Sequence, residues 1–159
     1  MCSHFPCALS WVIEEAQRRD PTALAGYTHS FIVVAPDGTT LDTTETVHYG
    51  NLYTDYSGTQ VLVGRINNLD PSVAQAVLKV LAADLGKLYP VQRLFLDALD
   101  LGRVIQEHAE VCSERAVMAV NLTGKIPDMS DPSGWEPGEM AMAIRHWREF
   151  EVVWEGVVT

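Results

Sequence analysis

A chain of 159 residues is the size of one domain, and folding can bury roughly 70% of the surface its unfolded form exposes. With 47% apolar and 20% charged residues it is too apolar for a disordered chain, and 21 acidic against 11 basic residues give a formal charge of -10. That charge repels phosphate backbones and anionic lipid, which excludes nucleic acid and bare membrane as expected partners.

At the N-terminus, Met1 to Ser10 has no cationic region, and the apolar stretch is interrupted by His4, Pro6, Glu14 and Glu15, so no signal peptide is read there. No apolar run approaches the roughly 20 residues that span a bilayer. Three cysteines, Cys2, Cys7 and Cys112, cannot all pair and lack the dense, even spacing of a secreted disulfide scaffold. The expectation is a single domain over 1–159 in a reducing, cytoplasmic setting, without a metal or other cofactor.

In chain order, Ala8 to Arg19 places Leu9, Val12, Ile13 and Ala16 at helical spacing and stops at Asp20-Pro21. Tyr27 to Ala35 is β-branched and aromatic, Pro36-Asp37-Gly38 is a turn, and Thr39 to Thr44 resumes β-propensity, which predicts a hairpin with His29 near its start. His48 and Tyr49 read as loop. Gln60 to Ile66 reads as a further strand, and Asp70-Pro71 as the start of a helix over Ser72 to Leu85 that Gly86 ends. A helix is expected from Val91 to about Leu101, and another over Val111 to Leu122, ended by Thr123-Gly124. A Pro/Gly/Asp-rich loop from Ile126 to Gly138 precedes Met140 to Ile144, read as core strand, and the strand-like Phe150 to Val158.

The reading of the last of these helices puts Cys112 and Ser113 at its N-terminal edge, where unpaired amides carry about half a positive charge. Such a tip lowers a thiol's pKa and can donate to the oxyanion of an attacked carbonyl. A base is needed, and among His4, His29, His48, His108 and His146, only His29 sits on a predicted strand between turn and core residues. The hairpin returns Asp42 roughly opposite His29, at the ~5 Å Cβ spacing of cross-strand neighbours, where a carboxylate can hold the imidazole. Glu45 or Thr43 takes that place if the register slips. Taken singly, each of these residues has a plain structural role: a small buried thiol, a core imidazole, a solvated acidic stretch. Cys112 and His108 have a helical i, i+4 separation, but no second ligand pair matches it, so a zinc site is not expected.

Four segments occur here in a telling order. They are Thr28-His29-Ser30 before an apolar strand, Asp42 after the hairpin, Gly86-Lys87-Leu88-Tyr89 after a long helix, and Cys112-Ser113-Glu114. In that order the chain resembles the circularly permuted branch of the NlpC-type papain-like cysteine peptidase and acyltransferase superfamily. The resemblance covers most of the chain. It implies an α+β, papain-like fold with an antiparallel sheet packed against helices and the catalytic Cys at a helix N-terminus. It further implies Cys112 as nucleophile, His29 as base and then acid, and Asp42 as the orienting residue, with Tyr89 and Ser113 as substrate or oxyanion contacts. Arg115 stands where the family has an apolar residue, which implies a more exposed face on the Cys helix.

The implied function is a thiol hydrolase working through an acyl-enzyme on a peptide, amide or peptidoglycan fragment. The same site suits an acyl-lipid or thioester hydrolase or transferase, and the same fold without turnover suits a binding or structural module.

Overall fold

The computed structural model describes residues 2–3, 24, 26–44, 46–87, 101–126, 129, 131–132 and 135–159, of which 2–3 and 101–111 are described by their backbone alone. Its strands are β1 (Cys2–Ser3), β2 (His29–Ser30), β3 (Ile32–Val33), β4 (Thr39–Thr43), β5 (Val47–Asn51), β6 (Gln60–Ile66) and β7 (Phe150–Val157). Its helices are α1 (Leu52–Asp55), α2 (Pro71–Ala82), α3 (Leu101–Leu122) and α4 (Pro137–His146). Every pairing is antiparallel, in one sheet ordered β2-β1-β6-β7 and a second ordered β3-β4-β5. The fold is α+β, with helices against antiparallel sheets.

The hairpin forms for the reason its sequence gives. Asp37 Oδ1 accepts from the Thr39 amide at 3.0 Å and its hydroxyl at 2.6 Å, and Gly38 takes φ +86°, where its own Cβ would strike the Tyr53 ring. Its first arm is not one strand. The chain turns from one sheet to the other at Phe31, so His29 pairs with Ser3 in the four-stranded sheet while Ile32 pairs with Leu41 in the three-stranded one. Extending the β3–β4 register sets Asp42 opposite Phe31, with His29 two residues further on the same face.

Helix α2 starts where Asp70 Oδ1 accepts from the Ser72 amide at 2.8 Å with Pro71 in the first turn. It stops at Ala82, three residues short of the expected end, because residues 83–86 turn back onto β5. There Gly86 N–H donates to the Val47 carbonyl at 2.8 Å and Val47 N–H to the Lys87 carbonyl at 3.2 Å. Pairing with this segment and with β4 makes a strand of Val47–Asn51, within which His48 and Tyr49 read from the sequence as loop.

Two further expectations are corrected. Cys112 does not open a helix: the chain is helical over Leu101–Leu122, so Cys112 lies eleven residues inside the described part of α3. Nothing between Gly102 and Val111 breaks a helix, and Gln106, Glu107, Ala109 and Glu110 favour one, so the apolar step at Val111 is a change of face and not a start. Met140 packs in the core from helix α4 and not from a strand, since Pro137 and the reciprocal Glu136/Glu139 capping box nucleate a helix there. The helix expected over 8–19 lies outside the described residues, as does the one expected from Val91 to about Leu101 except for Leu101 itself.

One core cluster joins α3 and α4 to β6 through Leu62, Val117, Val120, Met140 and Ile144. A second sets Leu41 and Val47 of the small sheet against Val77 and Leu81 of α2. Helix α3 packs on both β2 and β4, and so bridges the two sheets.

Candidate active site

Three elements converge under that bridge. β2 brings His29, β4 brings Asp42 and α3 brings Cys112, with side chains that are 14% exposed for His29 and 4% for Asp42, and with Cys112 buried. His29 Nε2 lies 2.7 Å from Asp42 Oδ1, and the ring also shares a hydrogen bond with Cys112. With Nε2 on the carboxylate, Nδ1 is the ring atom left for the sulfur. The structure thus brings together the three residues that the sequence reading selected, and among the alternatives for the third it is Asp42, not Thr43, that reaches the imidazole. Glu45 lies outside the described residues.

The electrostatics follow from this packing. Burial alone would lower the pKa of His29, but the charge of Cys112, hydrogen bonds to Asp42 and Cys112, and the charge of Asp42 outweigh it and raise the imidazole from 6.5 to about 10. Burial likewise opposes ionisation of Asp42. The His29 hydrogen bond and charge, with donors from Tyr56 and the Thr43 amide at 2.6 Å, hold its carboxyl below the ordinary 3.8. The resulting state is an imidazolium paired with the Asp42 carboxylate and set beside the Cys112 sulfur.

Sequence reasoning missed Tyr56. Its phenol donates to Asp42 Oδ2, and its ring lies nearly parallel to His29 (6.2 Å, 15°) and Phe31 (4.2 Å, 16°). Burial, then the charge of Asp42, push the phenol far above its ordinary range, so it remains a donor. The available signal was the spacing of Leu52 and Tyr56, an i, i+4 apolar pair that both enter one core cluster, although Asp55 to Thr59 reads as turn.

The other candidates stand elsewhere. Ser113, expected as a substrate or oxyanion contact, donates its hydroxyl to the Trp135 carbonyl, which ties the segment before α4 to α3. Tyr89 lies outside the described residues. Arg115 does not open a face of the Cys helix: it is buried, donating to Asp84 Oδ2 at 3.2 Å and the Leu81 carbonyl at 3.4 Å, and so clamps the end of α2 to α3. With Cys112 mid-helix, its amide belongs to the interior of the helix, and the expected oxyanion donors at a helix tip are not supplied by α3.

An apolar cavity of about 240 Å³ is lined by Phe31, Ala116, Ala119, Val120, Met140 and Ile144 among others, and by none of the triad. It begins one helical turn along α3, at Ala116, beyond Cys112. Among the described residues no group of three or more His, Cys, Asp or Glu side chains could hold a metal, and no helix is long and apolar enough to cross a membrane. Comparison of the chain with protein-family models, curated proteins and solved structures finds no match.

Proposed function

We propose that this chain is a thiol hydrolase of papain-like type, acting on an amide, peptide or ester carbonyl through an acyl-enzyme on Cys112. The observation that supports it is one hydrogen-bonded chain from the sulfur through His29 to Asp42, assembled from α3, β2 and β4. In the first half-reaction the thiolate adds to the carbonyl carbon, and the imidazolium gives its proton to the leaving amine or alkoxide as the C–N or C–O bond breaks. In the second, neutral His29 takes a proton from water, whose oxygen attacks the thioester. The sulfur then leaves as thiolate and His29 is again protonated. Asp42 keeps one ring nitrogen protonated throughout and stabilises the cation.

Iodoacetamide labelling followed by peptide mass mapping tests the reading. Cys112 is expected to react faster than Cys2 and Cys7 at neutral pH, and replacement of His29 by Ala to slow it. Equal rates at all three thiols in the native protein count against an enzyme and favour a binding or structural module.

The apolar cavity favours a second reading on the same triad, transfer or hydrolysis of an acyl chain from a lipid or thioester. Its volume matches roughly eight water-sized groups at about 30 Å³ each. Intact-mass analysis with acyl thioesters from acetyl to dodecanoyl separates the two. A rise in Cys112 acylation toward mid-length chains supports the acyl reading, and indifference to length supports the peptide one.

A further inference from the structure

The carboxylate of Asp42 has two oxygens and three donors. His29 and the Thr43 amide share Oδ1, and Oδ2 takes the phenol of Tyr56. A buried carboxylate held at Oδ1 alone could swing about its Cβ–Cγ bond and present either oxygen to the imidazole, or neither. The Tyr56 bond removes that freedom, and the Tyr56 ring is itself fixed by its stack on Phe31 and by burial among Leu52, Val61 and Val158. The same ring lies nearly parallel to the imidazole.

We propose that Tyr56 is a positioning residue: its phenol locks the Asp42 carboxylate so that Oδ1 meets His29, and its ring keeps the imidazole in the plane that presents the other nitrogen to Cys112. The catalytic meaning of this role rests on the thiol-hydrolase reading, but the geometry it claims does not require turnover. In this role Tyr56 touches no substrate; it acts through Asp42. The charged and titratable groups that bear on His29 are Cys112 from α3 and Asp42 from β4, and those that bear on Tyr56 are Asp42, Cys112 and Asp55. Removing the phenol leaves Oδ2 buried without that donor, which weakens the hold on the imidazolium by about one hydrogen bond to a charged group, or about one pH unit.

The experiment follows His29 directly, by NMR of the labelled imidazole, in the full chain and in Tyr56→Phe and Ile144→Ala. Ile144 is buried in a different core cluster, which holds none of Tyr56, His29, Asp42 and Cys112, so Ile144→Ala reproduces a loss of packing without loss of the phenol or of its support. Tyr56→Phe is expected to lower the His29 midpoint by about one unit and to shift the alkaline limb of Cys112 alkylation with it, while Ile144→Ala loses stability and leaves both in place. An unmoved His29 midpoint in Tyr56→Phe overturns the proposal, as does an equal shift in Ile144→Ala. Where Tyr56→Phe does not fold, the native protein decides. A Tyr56 phenol still protonated well above pH 10 supports the bond to Asp42, and titration in the ordinary range near 10 overturns it. A shifted His29 midpoint in a protein whose Cys112 alkylates no faster than the other thiols supports the positioning role and rejects the hydrolase reading. The two failures are thereby separate.

Discussion

Replacing Asp42 by Asn removes one charge and almost no volume, and so isolates the electrostatic share of the network. Three donors converge on this side chain, from His29, Tyr56 and the Thr43 amide, and a carboxamide offers one oxygen where the carboxylate offered two. Its NH2 group must confront either the imidazolium or the phenol. The loss is a charge-assisted bond at a site only 4% exposed, so screening by water does little to reduce it, and about 2 to 3 kcal/mol is expected at pH 7. With a urea m-value of about 2 kcal/mol/M, the unfolding midpoint falls by about 1 to 1.5 M. The sign with pH is fixed by the direction of the shift. Asp42 has a folded pKa below its unfolded 3.8, so its contribution is complete above 3.8 and is lost as pH falls through the folded value. The gap between wild type and Asp42→Asn is therefore widest near neutrality and closes toward acid. A midpoint shift under about 0.3 M at pH 7, or a gap that stays constant from pH 7 to pH 3, would refute the buried-pair account.

His29 supplies the opposite limb. Its folded pKa is raised from 6.5 to about 10, so its contribution is full below 6.5 and is lost as pH rises through 10; wild-type stability should decline across that window and His29→Ala should be flat there, as read by denaturant midpoints. At the α2–α3 clamp, Asp84→Ala takes the carboxylate from the buried Arg115 guanidinium and should cost about 2 kcal/mol, whereas Arg115→Met leaves Asp84 near water and Lys87 and should cost less; equal losses would show that the remaining partners of Arg115, the Leu81 carbonyl among them, suffice. Gly64→Ala would set a Cβ 2.6 Å from Ile144 Cγ2, which predicts a loss of about 2 kcal/mol in thermal or urea unfolding and a neutral result if α4 can shift away.

Legibility in the sequence tracks how local the cause is. The Asp37-Gly38 turn, the Asp70 cap and the Thr123-Gly124 stop each act within four residues, and each forms as read. Strand β6 also runs over the residues read from its composition, Gln60 to Ile66. The His29–Asp42 contact was accessible because a hairpin turns sequence separation into spatial nearness, although the chain changes sheets at Phe31 and the two residues end on different ladders. What could not be read depends on distant partners. Strand β5 exists because β4 and the segment after α2 pair with it, against the propensities of Gly50 and Asn51. Arg115 is buried because Asp84, thirty-one residues earlier, meets it. The start of α3 was misplaced because a change from polar to apolar sequence looks the same whether a helix begins or merely turns its face to the core.

That last correction alters how the thiol can be activated. A sulfur at a helix tip draws on the amide dipoles and needs its histidine chiefly as a proton carrier. Cys112 lies inside α3, where the amides are occupied by the helix itself, so the stabilisation of a thiolate there falls on the imidazolium of His29. The imidazolium in turn is held by Asp42, and Asp42 by Tyr56. Cys112, His29 and Asp42 lie on α3, β2 and β4, so the hold of the imidazolium on the sulfur depends on the docking of α3 against both sheets at once. Any loosening of α3 from β2 or β4 should therefore lower the reactivity of Cys112 before it unfolds the chain. Under the helix-tip arrangement first expected, the same loosening would have left much of the thiolate's stabilisation in place.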